Sequence, residues 1–229
     1  MRVLIGGEPG AVVTEDDFEA LYARPAHHVG PWLRVNMVST LDGAAQGDDG
    51  KSGGINNAVD KSVFHALRRL ADCLVVGAGT VRIEGYRPPD LPLVVVSRSG
   101  QVPPTVCGAE PGRVLMATTE HAPALAEARA LLGDENVLVL GSYSVDLVTL
   151  KAALGDRGHT ELLSEGGPHL LHQLLAEGVA DELCVTVVPR AIGGTRLRIV
   201  AGSEIDVPLT PTLLLEEGGT LLGRWHVSR

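Results

Sequence analysis

The apolar residues of this chain come in short, nearly unbroken runs, and that pattern limits its fold more than any other feature. Residues 33–40, 73–78, 93–97, 114–117, 137–140, 162–163 and 183–188 are the clearest. A strand with one face in water alternates apolar and polar side chains. A run that is apolar throughout belongs to a strand covered on both faces, which is the condition of a parallel sheet. The coverings lie between the runs. Residues 14–24 start on a capping threonine and place Phe18, Leu21 and Tyr22 on one face. Residues 58–70 repeat Val59, Val63, Ala66, Leu67 and Leu70 at helical spacing. Residues 119–132 are rich in alanine and close on Gly133, and 146–154 form another helical stretch. Residues 168–177 open with proline at the first helical position and stop at Gly178.

The spacing therefore predicts an α/β fold with crossover connections, a mostly parallel central sheet and helices on both faces. After Gly178 the helices cease. Residues 183–188, 197–200, 213–215 and 221–227 read as strands, and Glu217-Gly218-Gly219 is a hairpin signal. Antiparallel strands are thus expected at the C-terminal end. A single domain, 1–229, accounts for the pattern. The first thirty residues precede it and are compatible with an appendage.

Composition excludes several classes of function. A net charge of −9 and 3% aromatic residues do not suit nucleic-acid binding, which needs a basic face and stacking rings. No run reaches eighteen apolar residues, so no membrane-spanning helix is expected, and residues 1–10 lack the apolar core of a secretory signal. Cys73, Cys107 and Cys184 fit no zinc spacing. No metal site is expected, and a reducing, cytoplasmic setting is.

Parallel α/β sheets bind ligands beyond the carboxyl ends of their strands, so the strand ends carry the functional reading. After the run at 73–76 comes Gly77-Ala78-Gly79-Thr80-Val81-Arg82, a dinucleotide fingerprint with Arg82 where the third glycine belongs. It reads either as a phosphate-binding turn or as a tight strand–helix turn. After the run at 93–96 come Ser97 and Arg98, suited to a 2′-phosphate and so to NADPH, or else a polar turn. Glu165-Gly166-Gly167-Pro168-His169-Leu170 opens a helix whose free N–H groups suit an anion, with Glu165 placed to accept from a ring amide or a ribose. Leu41-Asp42-Gly43 puts a carboxylate at a strand end, where it either orients a substrate or closes a turn. His65, Arg68 and Arg69 read by default as a solvated helix face. There is no P-loop and no nucleophile elbow.

Taken together, Ser39-Thr40-Leu41-Asp42-Gly43, Leu67-Arg68, Ala71-Asp72, residues 77–82, Glu165-Gly166-Gly167-Pro168, Asp181-Glu182-Leu183, Pro189 and Gly193-Gly194 resemble, in order, the riboflavin-biosynthesis pyrimidine reductases. These form the reductase domain of the bifunctional deaminase-reductase, and residues 80–86 are most similar to a stand-alone actinobacterial branch. The resemblance runs from about residue 33 to the C-terminus. It implies a dihydrofolate-reductase-like fold, a homodimer and NADPH-dependent reduction of a 5-amino-6-(5-phosphoribosylamino)uracil-type substrate, with hydride delivered to the ribose C1′. It further implies cofactor contacts from Gly54, Gly77, Gly79, Thr80, Arg82, Glu84, Ser97, Arg98, Gly166, Gly167, Pro168, His169 and Leu170. Substrate contacts are implied from Asn36, Ser52, Arg68, Arg87 and Glu165, with Arg68 on the phosphate. Asp42 is implied beside the reacting centre as orienter or proton relay. The chain departs from the family at Asn36 (usually lysine), Gly54 (usually tryptophan) and residues 84–86 (usually an acidic pair and proline). The zinc-deaminase motif is not found, so deamination is expected from another protein. Two other readings remain at this level: a dihydrofolate or pterin reductase on the same fold, and an NADPH sensor without turnover.

Overall fold

The computed structural model describes residues 1–88 and 90–228. The chain begins with a short strand, β1 (Arg2–Ile5), and a single helical turn, α1 (Phe18–Leu21). The long strand β2 (Trp32–Thr40) leads to α2 (Ala58–Leu70), β3 (Cys73–Gly77), α3 (Ala78–Glu84) and β4 (Leu93–Val96). Then come β5 (Val114–Thr118), α4 (Leu125–Leu132), β6 (Val137–Val139), α5 (Leu147–Asp156), β7 (Glu161–Ser164) and α6 (Pro168–Ala176). Three longer strands finish the chain: β8 (Glu182–Val188), β9 (Leu209–Glu217) and β10 (Thr220–Val227).

All the strands form one sheet, in the order β1-β9-β10-β8-β2-β7-β3-β4-β5-β6. From β8 to β6 every pairing is parallel. Strands β10, β9 and β1 extend it antiparallel. The apolar runs fill both faces because alternate residues of one strand point to opposite cores. Val94 and Val96 join the core beneath α5 and α6, whereas Leu93 and Val95 join the one beneath α2, α3 and α4. Helix α2 starts where the Asn57 side chain accepts the Asp60 N–H at 3.0 Å. It buries Val63, Ala66 and Leu67 at the helical interval. Val63 and Leu67 each contribute about 1.5–3 kcal/mol on burial.

The first residues are built into this sheet and core. Strand β1 pairs with β9 through Arg2↔Glu216 and Val3↔Leu215. Phe18 and Tyr22 are fully buried. Below them Glu182 accepts from Arg34 Nε at 2.5 Å and pairs with Arg224 Nη2 at 2.7 Å. The same two arginines donate to the carbonyls of Leu21, Tyr22 and Ala23.

Some expected elements differ. Residues 197–200 form no strand, and only a single bridge, Ala44↔Arg198, occurs there. Gly193 and Gly194 both take positive φ just before them, and nearby backbone groups are spent on other loops, Ala45 N–H to the Leu197 carbonyl and Ala201 N–H to the Pro168 carbonyl. The helix expected over 119–132 begins only at Leu125, two residues after Pro123. The hairpin signal is matched: Gly218 and Gly219, at φ 57° and 80°, make the two-residue link between β9 and β10.

Candidate functional site

The parallel strands β2, β3, β4 and β7 all end at one cavity of about 1080 Å³. Helices α2 and α3 form one wall, the start of α6 another, and the loop after β8 covers part of the mouth with Leu197, Ala201 and Gly202. The cavity sits where the chain order of the strands reverses, because β7 lies between β2 and β3. Such switch points are where α/β sheets bind ligands.

At one end two glycine turns meet. The Gly77 N–H donates to the Gly166 carbonyl at 2.8 Å. Gly167 packs on Thr80 so closely that a Cβ there would stand 2.3 Å from the Thr80 hydroxyl oxygen. Gly79 has open space where its side chain would be. The first-turn N–H groups of α6 have no intrahelical acceptor and carry the positive end of the helix dipole. His169 Nδ1 lies 2.8 Å from the Ala201 carbonyl and His172 Nε2 2.9 Å from that of Ser203, which ties the covering loop to α6. Farther along, Ser97 Oγ and Ser99 Oγ are 3.2 Å apart, with the exposed Arg98 between them.

The other end is acidic and aromatic. Glu165, just past β7, is buried and holds Arg68 as a fork: Nε donates to Oε1 at 2.6 Å and Nη2 to Oε2 at 2.7 Å. The Tyr86 hydroxyl donates to Oε2 at 2.5 Å. Arg68 lies over the Phe64 ring, 4.4 Å from its centroid. Burial and the neighbouring Glu165 carboxylate push the Tyr86 phenol well above its ordinary value of 10.0. Glu84 accepts the Ser52 N–H at 2.8 Å and so joins α3 to the turn at 52–54. Asp60 is buried, and burial raises its carboxyl, partly offset by a hydrogen bond with Thr186.

Of the residues singled out in the sequence, Asn36, Ser52, Arg68, Arg87 and Glu165 line this cavity, as do Gly77, Gly79, Thr80, Arg82, Glu84, Ser97, Arg98, Gly167, Pro168, His169 and Leu170. Three do not. Asp42 is turned into the loop: it accepts the Thr40 hydroxyl at 2.5 Å and the N–H groups of Ile192 at 3.0 Å and Gly193 at 2.6 Å. These bonds, the Thr40 hydroxyl foremost, hold its carboxyl below the ordinary range, the opposite of what a proton relay needs. Gly54 lies back to back with Gly47, so that a Cβ on Gly54 would stand 3.0 Å from the Gly47 Cα, and its carbonyl accepts from Arg190. No ring fits there without moving the backbone. Gly166 faces Met37 rather than the cavity. Arg68 reaches the cavity and is paired there with Glu165 through Nε and Nη2. Among the described residues, Lys61, Arg82, Arg87 and Arg98 are the lining cations without an ion pair. Asp60, Lys61, Phe64 and Tyr86 were missed in the sequence. The helical period of α2 marks its buried face and gives no sign that the opposite face borders a cleft.

The model of the RibD C-terminal domain matches residues 31–221. The 2,5-diamino-6-ribosylamino-4(3H)-pyrimidinone 5′-phosphate reductase of Methanothermobacter thermautotrophicus is 34% identical over 191 residues, covering 77% of this chain and 86% of that protein. The riboflavin biosynthesis protein RibD of Mycobacterium tuberculosis is 27% identical, with 72% of this chain matching 44% of that one. A pyrimidine reductase-like protein from Corynebacterium diphtheriae shares the fold, with a TM-score of 0.80 and 24% identity over 95% of this chain and 100% of its own. By the family model and by the archaeal relative, the chain belongs to the RibD C-terminal domain family.

Proposed function

We propose that this protein is an NADPH-dependent reductase of a phosphoribosylaminopyrimidine, acting in riboflavin biosynthesis. The observation that carries the reading is the single cavity. It joins an anion-binding end, built from two facing glycine turns and the start of α6, to a buried carboxylate end at Glu165. The relatives named as reductases of a ribosylaminopyrimidine 5′-phosphate support the substrate class.

The residues present fit the cofactor. Gly79 has open space where a side chain would stand, which lets a pyrophosphate approach the backbone at the start of α3. Ser97, Arg98 and Ser99 offer two hydroxyls and a guanidinium to a 2′-phosphate. When bound, NADPH supplies the hydride that reduces C1′ of the opened ribose. The chain supplies binding, orientation and exclusion of water. Glu165, fixed by Arg68 and Tyr86, orients the pyrimidine by accepting from its ring. Among the described residues, Lys61 and Arg87 line the cavity without an ion pair and are offered to the substrate phosphate. A homodimer and a cytoplasmic setting belong to the same reading.

The test is oxidation of NADPH by the purified protein with a phosphoribosylaminopyrimidine, alongside dihydrofolate and NADH controls. Pyrimidine-dependent loss of reduced-nicotinamide absorbance, faster with NADPH than NADH, is the expected result. Binding without turnover would favour a sensor, and turnover of dihydrofolate alone a folate-type reductase.

A further inference from the structure

We propose that His172 is a positioning residue for the cofactor: it holds the tip of the loop after β8 over bound NADPH and so slows the cofactor's release. The proposal rests on the functional reading above and deepens it.

The first half of that loop is fastened to the turn after β2. The Leu41 N–H donates to the Arg190 carbonyl at 2.8 Å, and the Ala45 N–H donates to the Leu197 carbonyl at 2.8 Å. Between them Asp42 accepts the N–H groups of Ile192 and Gly193. Farther on, Ile199 and Val200 pack against the core beneath α5 and α6, and so do Ile205 and Val207. These anchors leave Ala201, Gly202 and Ser203 as the part free to lift. Ala201 and Gly202 line the cavity together with Pro168, His169 and His172 of α6.

What keeps the tip down comes from α6. A carbonyl only accepts, so the two rings donate: His169 Nδ1 to Ala201 at 2.8 Å and His172 Nε2 to Ser203 at 2.9 Å. The Ser203 hydroxyl lies 3.3 Å from the same Nε2. The backbone of the tip adds a longer bond, from the Ala201 N–H to the Pro168 carbonyl at 3.2 Å. Gly202 lies flat on the His172 ring, where a Cβ would stand 2.4 Å from Cδ2. Its φ is not positive, so the ring, and not the backbone, is what demands glycine there. Neutral hydrogen bonds at the surface contribute little each, so such a latch opens readily, as a cover over a dinucleotide must. It forms only with the tip down, and it therefore acts on dissociation and not on association.

The experiment measures association and release of NADPH by stopped-flow nicotinamide fluorescence in the unaltered protein, His172→Ala, His172→Gln, Gly202→Ala and the double variant His172→Ala with Gly202→Ala. His172→Ala should speed release about fivefold and leave association nearly unchanged. Glutamine places an amide N–H close to where Nε2 stands, so His172→Gln should restore most of the slow release. Gly202→Ala should speed release when the ring is present and add nothing to His172→Ala. Equal release from all the variants overturns the proposal. Fast release from His172→Gln together with normal release from Gly202→Ala also overturns it, because His172 would then act on the cofactor directly. Failure of the unaltered protein to bind NADPH overturns the functional reading, and this proposal with it.

Discussion

Gly167 and Thr80 come from turns far apart in the chain, yet a Cβ on the glycine would lie 2.3 Å from the threonine hydroxyl oxygen. This contact joins α3 to α6 at the end of the cavity where the two glycine turns meet. Gly167→Ala should cost about 1–3 kcal/mol through overpacking and weaken NADPH more than it weakens the fold. Removing the hydroxyl with Thr80→Ala should relieve part of the clash. The two changes should therefore be non-additive in thermal denaturation and in NADPH titration.

Arg98 stands exposed between two serines at the end of β4. Arg98→Ala should lower NADPH affinity about tenfold and leave NADH almost unaffected. Titration of both cofactors checks this, and equal losses would remove Arg98 from the 2′-phosphate.

Asp42 holds the loop after β8 through the N–H groups of Ile192 and Gly193. Asp42→Ala should lower the melting temperature and raise KM while kcat stays nearly unchanged. A proton relay would instead lose about 10²–10⁴ in kcat. Because the Thr40 hydroxyl and the two N–H groups depress its pKa, the anchor is complete above the ordinary value of 3.8 and is lost as pH falls through the lower folded-state value.

Glu182 has no exposed side chain and pairs with both Arg34 and Arg224. Burial alone would raise its carboxyl, and the two guanidinium groups outweigh burial and lower it. Its contribution is therefore present above the ordinary value of 4.5 and disappears as pH falls through the depressed folded value. Glu182→Gln should cost about 3–5 kcal/mol, since two buried arginines lose their counter-charge. Urea unfolding at neutral pH and below pH 4.5 should show a large gap between the proteins at neutral pH that narrows in acid.

The sheet was legible because each parallel strand is buried on both faces and so appears as an apolar run. The strand ends were legible for the same reason, since a ligand site must follow them. Strand β1 was not: it has four residues, pairs only along one edge and begins on an arginine. The Glu165 end of the cavity was half legible. Glu165 announces itself before two glycines, but its partner Arg68 is 97 positions away and sits among residues that look like an ordinary solvated helix face. A strand-end carboxylate before glycine looks alike whether it faces a ligand or its own loop, and Asp42 is bonded within its loop.

Strand β7 lies between β2 and β3, and β8 is the other neighbour of β2. While the chain is being made, β2 therefore waits with neither side paired until residues beyond 160 have left the ribosome. The cofactor cleft is a late product of synthesis. A nascent chain stalled before β7 would expose two apolar strand edges instead of a half-built enzyme, and would be a natural client for chaperones.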